Sequence, residues 1–171
     1  MQGKINEPKI IIAKRQPKNL LRSVSLNINR DHTLQKHDST SKTFIKCTDP
    51  RCEFCKIVIS DNSYITKNKQ KIDRNFTMTC KTMDLLYILI CAHCKAEYVG
   101  ETGVPINERT NLHRNQIIHE KYRNLKVSKH IFSCRDGNFQ IFPFYKCFKQ
   151  CHIYREEKEL EFRKIIEPEL H

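Results

Sequence analysis

Leu85-Leu86-Tyr87-Ile88-Leu89-Ile90-Cys91-Ala92-His93-Cys94-Lys95-Ala96-Glu97-Tyr98-Val99-Gly100-Glu101-Thr102-Gly103 is the most apolar stretch of an otherwise polar, basic chain. Leu85 to Cys91 carries no charge, which predicts a buried strand. Ala92-His93-Cys94-Lys95 reads as a tight connection and Ala96 to Glu101 as the returning strand of a β-hairpin. Gly100 and Gly103, at its exit, permit positive φ or a close backbone approach.

Downstream, residues 104–120 read as a helix with Pro105 near its start. Ile106, Arg109, Thr110, His113 and Ile117 recur at spacings of three and four, so Arg109 and His113 share a face. Taken alone that pair is an exposed basic face; its place just after the glycine turn points to a site. Residues 127–134 suggest a short helix and Phe139 to Tyr145 a strand. His152 to Ile166 is a charged helix with Glu159, Phe162 and Ile166 on one stripe and Arg155 a turn before. A carboxylate on an apolar stripe is costly unless it is paired or binds a cation. That separates Glu159 from Glu156, Glu157 and Glu161, unless the helix is rotated and Glu159 is simply solvated. The mixture of strands and helices makes the fold class α+β.

Upstream, Cys47-x4-Cys52-x2-Cys55 forms a knuckle with Asp49-Pro50 supplying the turn, and Cys80 follows after a polar stretch with a short strand at Tyr64-Ile65-Thr66. Zinc takes four soft ligands in a tetrahedron, and a Cys-x2-Cys turn supplies two with little strain. Cys47, Cys52, Cys55 and Cys80 make a full set; the other reading is unligated thiols. Residues 1–46 hold Ile10 to Ala13, which could form a strand, and Leu20, Leu21 and Val24, which could share a helical face; the rest reads as extended or partner-dependent.

The 171 residues include 31 Lys and Arg against 19 Asp and Glu, a formal net charge of +12. Such a balance suits a polyanion, nucleic acid first and an anionic membrane surface second, or merely a solubilising surface. No run approaches the roughly 18 apolar residues of a membrane span. Met1 to Asn6 has no apolar core of a secretory signal, so an intracellular chain, nuclear or cytoplasmic and not secreted, is expected. Its nine cysteines are then thiols or metal ligands before they are disulfides.

Leu85-Leu86-Tyr87 followed by Tyr98-Val99-Gly100 resembles the two-part signature of the GIY-YIG nucleases, with Leu85-Leu86 in place of Gly-Ile. Arg109-x3-His113 is similar to the family's helix pattern. Glu159 with Pro168 and His171 resembles its glutamate helix followed by Pro-x-x-Asn, His171 standing where Asn is usual. The resemblance is closer to the endonuclease domain of Penelope-like retroelements. There, as here, a Cys-x2-Cys (Cys91, Cys94) lies between the signature halves, a Cys-x4-Cys-x2-Cys precedes them, and Tyr98-Val99-Gly100-Glu101-Thr102 is usual wording. The stretch from Pro8 to Leu21 looks like the tail that follows a reverse transcriptase in such elements.

The resemblance implies a small fold with a three-stranded, mainly antiparallel sheet flanked by helices and carrying zinc-binding Cys/His insertions. It implies a basic arm over 1–46, a zinc knuckle and connector over 47–82 and an endonuclease-like domain over 83–171. The implied activity is metal-dependent hydrolysis of DNA phosphodiesters, nicking a target for a retroelement. Glu159 would hold Mg²⁺ or Mn²⁺, Arg109 would contact the phosphate, and Tyr87, Tyr98 and His113 would activate or orient water. Gly100 would let the helix backbone approach the sheet. Zinc would be structural, with Cys91 and Cys94 completed by downstream histidines; His119 or His130 is expected there, since His113 is wanted by the catalytic pattern, and Cys134 lies nearby. DNA is the expected partner, without a membrane. A catalytically inactive zinc-dependent nucleic-acid-binding remnant, or a relic without a stable fold, are the other readings.

Overall fold

A computed structural model of the chain describes residues 42–119, 122, 124–134 and 137–170. The Ile10–Ala13 strand, the Leu20/Leu21/Val24 face, the reverse transcriptase-like tail and His171 lie outside the described residues. The elements run β1 (Phe44–Ile45), α1 (Glu53–Ile57), β2 (Ser63–Ile65), β3 (Lys71–Asp73), β4 (Met78–Thr79), β5 (Leu85–Cys91), β6 (Glu97–Thr102), α2 (Ile106–Ile118), α3 (Lys126–Ser133), β7 (Phe139–Lys146) and α4 (His152–Ile166). The fold is mixed α+β, as the sequence reading expects.

β5 is the middle strand of a three-stranded antiparallel sheet ordered β6-β5-β7. Every residue of it is buried, because both faces of the sheet are covered. Leu85, Tyr87, Leu89 and Cys91 point into one apolar cluster, with Phe54 of α1, Ile106 and Ile117 of α2, and Val127 and Ile131 of α3. Leu86, Ile88 and Ile90 point into the other, against Ile72, Phe142, Phe144 and Ile166, with Phe162 packed alongside. Period-two alternation is thus present but invisible as polarity, since each fully buried Leu or Ile contributes roughly 1.5–3 kcal/mol on either face. The hairpin closes where Lys95 adopts φ 61° and its N–H donates to the Cys91 carbonyl at 3.1 Å.

β7 is an edge strand, which is why it tolerates Pro143 opposite Tyr87. A register shift between Leu86 and Tyr87 accompanies it. The buried Arg74 donates to the freed Pro143 carbonyl and to the carbonyls of Ile59 and Asp61, and its guanidinium lies 4.6 Å from the centre of the Phe142 ring. Burial lowers Arg74 to about 10.

The knuckle and connector share the core of the sheet. Phe54, Cys55, Val58, Met78 and Cys80 belong to the same cluster as Leu85 and Tyr87. The last residues of the expected basic arm also enter the fold: β1 pairs in parallel with β4, and Phe44 is buried. After α4, Glu167 takes the left-handed conformation (φ 49°) and the chain returns along β6, where Leu170 donates to the Glu97 carbonyl. Among the described residues no helix is long and apolar enough to cross a membrane.

Candidate active site and metal centres

Tyr87 from β5, Tyr98 and Gly100 from β6, and Arg109 and His113 from α2 meet on one side of the sheet. Tyr87 and Gly100 are direct cross-strand partners. A Cβ on Gly100 would lie 2.7 Å from the Tyr87 hydroxyl and 2.8 Å from the Tyr98 ring. The close approach expected at Gly100 is therefore made by these two rings, rather than by a helix backbone. No positive φ is needed there; among the described glycines only Gly137 adopts one.

The Tyr87 hydroxyl is completely buried. It accepts from Arg109 Nε at 3.0 Å and lies 2.6 Å from His113 Nε2. Burial, and next the Arg109 charge, pull His113 down to about 3. In the Nδ1–H tautomer of this neutral imidazole, Nε2 accepts the Tyr87 proton. Burial pushes Tyr87 well above the ordinary phenol value against the opposing pull of Arg109. The resting chain is therefore Arg109 to phenol to imidazole. Tyr98, Arg109 and His113 face a cleft of about 390 Å³ that Gln116, Lys126 and Ser128 also line.

Glu159 is buried on α4, as its stripe predicted. Burial raises its carboxyl above the usual range, and Arg163, one turn on, opposes this with a hydrogen bond of 2.5 Å. Glu159 is close enough to Tyr98 for its charge to raise that phenol further, after burial.

His113 gives the fold an acid-sensitive point. Its folded pKa lies below the unfolded value of about 6.5, so the unfolded chain takes the proton first. The stability it supports is complete above pH 6.5 and is lost as pH falls toward 3, at up to about 1.4 kcal/mol per pH unit. Urea midpoints between pH 7.5 and 4.5 should fall more steeply for the wild type than for His113→Gln; parallel curves would refute the neutral imidazole.

Two further groups are built for a soft cation. Cys47, Cys52, Cys55 and Cys80 form one; Cys91, Cys94, His130 and Cys134 form the other; in each, all ligand atoms lie within 4.8 Å of one another. Tetrahedral Zn–S bonds of about 2.3 Å require edges of about 3.8 Å. Cys47 and Cys55 sulfurs are 3.5 Å apart, and Cys94 Sγ is 3.1 Å from His130 Nε2. Without a cation the thiols of a group cannot all ionise. Burial pushes Cys55 up to about 12 and Cys80 to about 11, while Cys47 is lowered by the backbone at Asp49. Burial opposes ionisation of Cys91 too, but backbone N–H groups of Cys94 and His93 bring it to about 7; Cys134, hydrogen-bonded to it, rises to about 11. Both donor sets fit zinc.

The first group is the one expected. In the second, His130 holds the expected place and His119 does not: it is exposed at the C-terminal cap of α2. The hairpin tip instead meets the end of α3, where His130 and Cys134 are separated by one helical turn and lie on the same side.

Two charge pairings stand outside the sequence reading, which named Arg155 and Glu159 but not their partners. Arg155 donates to Asp84 Oδ1 at 2.7 Å and to Glu101 Oε2 at 2.6 Å, all three sheltered from water. Arg163 is the partner of Glu159 described above. Their signal in the sequence was the i, i+4 spacing of Arg155, Glu159 and Arg163. Comparison with known protein families, characterised proteins and solved structures finds no match to this chain.

Proposed function

We propose that the cleft is a metal-dependent phosphodiesterase site of GIY-YIG type acting on DNA, with zinc as structural staples. The observation that carries this reading is the hydrogen-bonded chain of Arg109, Tyr87 and His113 at a cationic cleft, with the buried carboxylate of Glu159 on α4 close enough to act on Tyr98. Glu159 would hold a hard cation such as Mg²⁺ or Mn²⁺ as its one carboxylate ligand, the kind of oxygen donor such an ion takes alongside water and substrate phosphate. When bound, that cation supplies charge neutralisation of the phosphate and leaving oxygen. Arg109 offers its remaining guanidinium donors to the phosphate. Tyr87, lacking access to solvent, serves as the orienter: it fixes Arg109 and the His113 ring. His113 and Tyr98 are then the groups that meet water from the cleft. With Nε2 engaged by the Tyr87 hydroxyl, the neutral His113 has only its Nδ1–H to offer, so it orients the attacking water rather than taking its proton. The net charge of +12 draws the polyanion in without base readout. The retroelement origin rests on the Cys spacing and the Tyr98–Thr102 wording.

Nicking of supercoiled plasmid with Mg²⁺ or Mn²⁺ tests the assignment. Glu159→Gln should lower the rate by about a hundredfold or more, the scale on which loss of a principal electrostatic stabiliser acts, with DNA affinity in a gel-shift assay little changed. If wild type and variant both bind DNA and neither nicks it, the chain is the zinc-dependent nucleic-acid-binding module instead.

A further inference from the structure

The guanidinium of Arg163 sits on the carboxylate that the phosphodiesterase reading assigns to the cation. Its Nη2 donates to Glu159 Oε1 at 2.5 Å. The same guanidinium leaves Nε buried with no partner. An unmet buried donor is a standing cost, so the pose is held by Glu159 and not by a full set of partners. One third of the side chain is exposed (34%), which leaves it room to turn. Its charge is felt at Tyr98, on the wall of the cleft, and Arg109 is felt at Glu159. One guanidinium is thus paired with the carboxylate, and a second, from another helix, is close enough for its charge to act on it. Arg109 is committed to Tyr87 by its Nε. Arg163 is committed to the very group a cation must take.

A divalent cation and a guanidinium repel each other and compete for the same carboxylate. Resting on the reading of this cleft as a phosphodiesterase site, we propose that Arg163 is a latch. It holds Glu159 in the cation-free protein, and when a divalent cation takes that carboxylate it turns onto the incoming phosphate. There its planar fork matches two phosphate oxygens, and the donor left unmet at rest gains a partner. No bond is made or broken; one charge pair is exchanged for two.

Mn²⁺ binding to the zinc-loaded full chain without DNA, followed by electron paramagnetic resonance of the free ion, tests this. Arg163→Gln should bind Mn²⁺ about tenfold more tightly than wild type, the factor expected when one charge-assisted competitor is removed. At saturating Mn²⁺ its kcat for plasmid nicking should fall, while Arg163→Lys keeps wild-type Mn²⁺ affinity and part of the kcat. A residue that only packs α4 would not tighten the metal. Unchanged or weaker Mn²⁺ binding in Arg163→Gln, or an undiminished kcat, overturns the latch. Arg163→Met, which keeps the apolar stem, answers the same question if Gln disturbs the helix. Glu159→Gln separates the two levels. If it abolishes Mn²⁺ binding while Arg163→Gln has no effect, the latch fails and the site assignment stands. If it leaves Mn²⁺ binding intact, the site assignment itself fails.

Discussion

Stripping the metal from the Cys47, Cys52, Cys55 and Cys80 group is expected to cost the protein its cooperative fold. Cys55 and Cys80 are part of the main apolar cluster, beside Phe54 and Met78. This group fastens α1 and the start of β4's exit loop to the sheet where local structure is weakest. α1 is one short helix with no side-chain cap, and β1 and β4 are two residues each. Elements of that length do not hold their shape unaided. The free energy of structural zinc is folding free energy, on the order of 10 kcal/mol at neutral pH. Loss of even 5 kcal/mol would lower the melting midpoint by about 10–20 °C in a chain of this size. Protein purified without chelator should carry two zinc ions. Cys55→Ser should retain one and melt far lower or without a cooperative transition. Cys94→Ser, at the exposed hairpin tip, should also retain one, yet keep a cooperative melt, because β5 and β6 are closed by their own ladder. Full zinc occupancy in Cys55→Ser, or equal melting of the two variants, would remove the structural role assigned here.

The contrast between the two groups also shows what a sequence can and cannot reveal. Cys47, Cys52, Cys55 and Cys80 were legible because three of the four lie within nine residues and the last precedes the main hairpin. The second set was legible at the Cys91/Cys94 turn and, through the resemblance, at His130 with Cys134 nearby, but His119 was an equal candidate. Its partners depend on how far α2 runs before the chain doubles back into α3, and spacing does not encode that: His119 caps one helix while His130 and Cys134 finish the next. The hairpin, α2, β7 and α4 were readable as long apolar or amphipathic runs. The pairs β1–β4 and β2–β3 were not, beyond a strand near Tyr64, because strands of two or three residues carry no periodicity. Around the cleft, Arg109, His113 and Glu159 stood out from helical spacing, and Tyr87 and Tyr98 only through the family resemblance. That Tyr87 is buried behind the other groups, and that Gly100 exists to make room for two rings, follows only from strand register.

Replacing Arg155 with Ala is expected to destabilise the protein by about 3–5 kcal/mol, the cost of leaving buried charges without their partner. Arg155 is the common partner of Asp84 and Glu101, with all three side chains less than a fifth exposed. Asp84 enters β5 in a left-handed conformation (φ 51°), and its carbonyl accepts from Cys147 at 2.7 Å, so it cannot relax away freely. Lys146 is 3.9 Å from Asp84 and itself largely covered; His152, 3.6 Å from Glu101, is exposed. Neither can replace a guanidinium that bridges both acids. Gly103 belongs to the same arrangement: a Cβ there would lie 2.7 Å from Arg155 Nη2, which explains the small residue at the hairpin's exit. The network ties the first turn of α4 to the start of β5 and the end of β6. Glu159, whose charge reaches Tyr98 on the cleft wall, stands one turn further along that helix, so Arg155 sets the position of that carboxylate without touching it. Urea unfolding should therefore show a large loss for Arg155→Ala, while the triple change Arg155→Met, Asp84→Asn, Glu101→Gln, which removes every charge of the network together, should recover much of it. Nicking should distinguish stability from position: the triple variant, though folded, should nick more slowly, because Met cannot hold α4 in register by hydrogen bonds. Wild-type nicking by a folded triple variant would show that packing of Phe162 and Ile166 alone places Glu159.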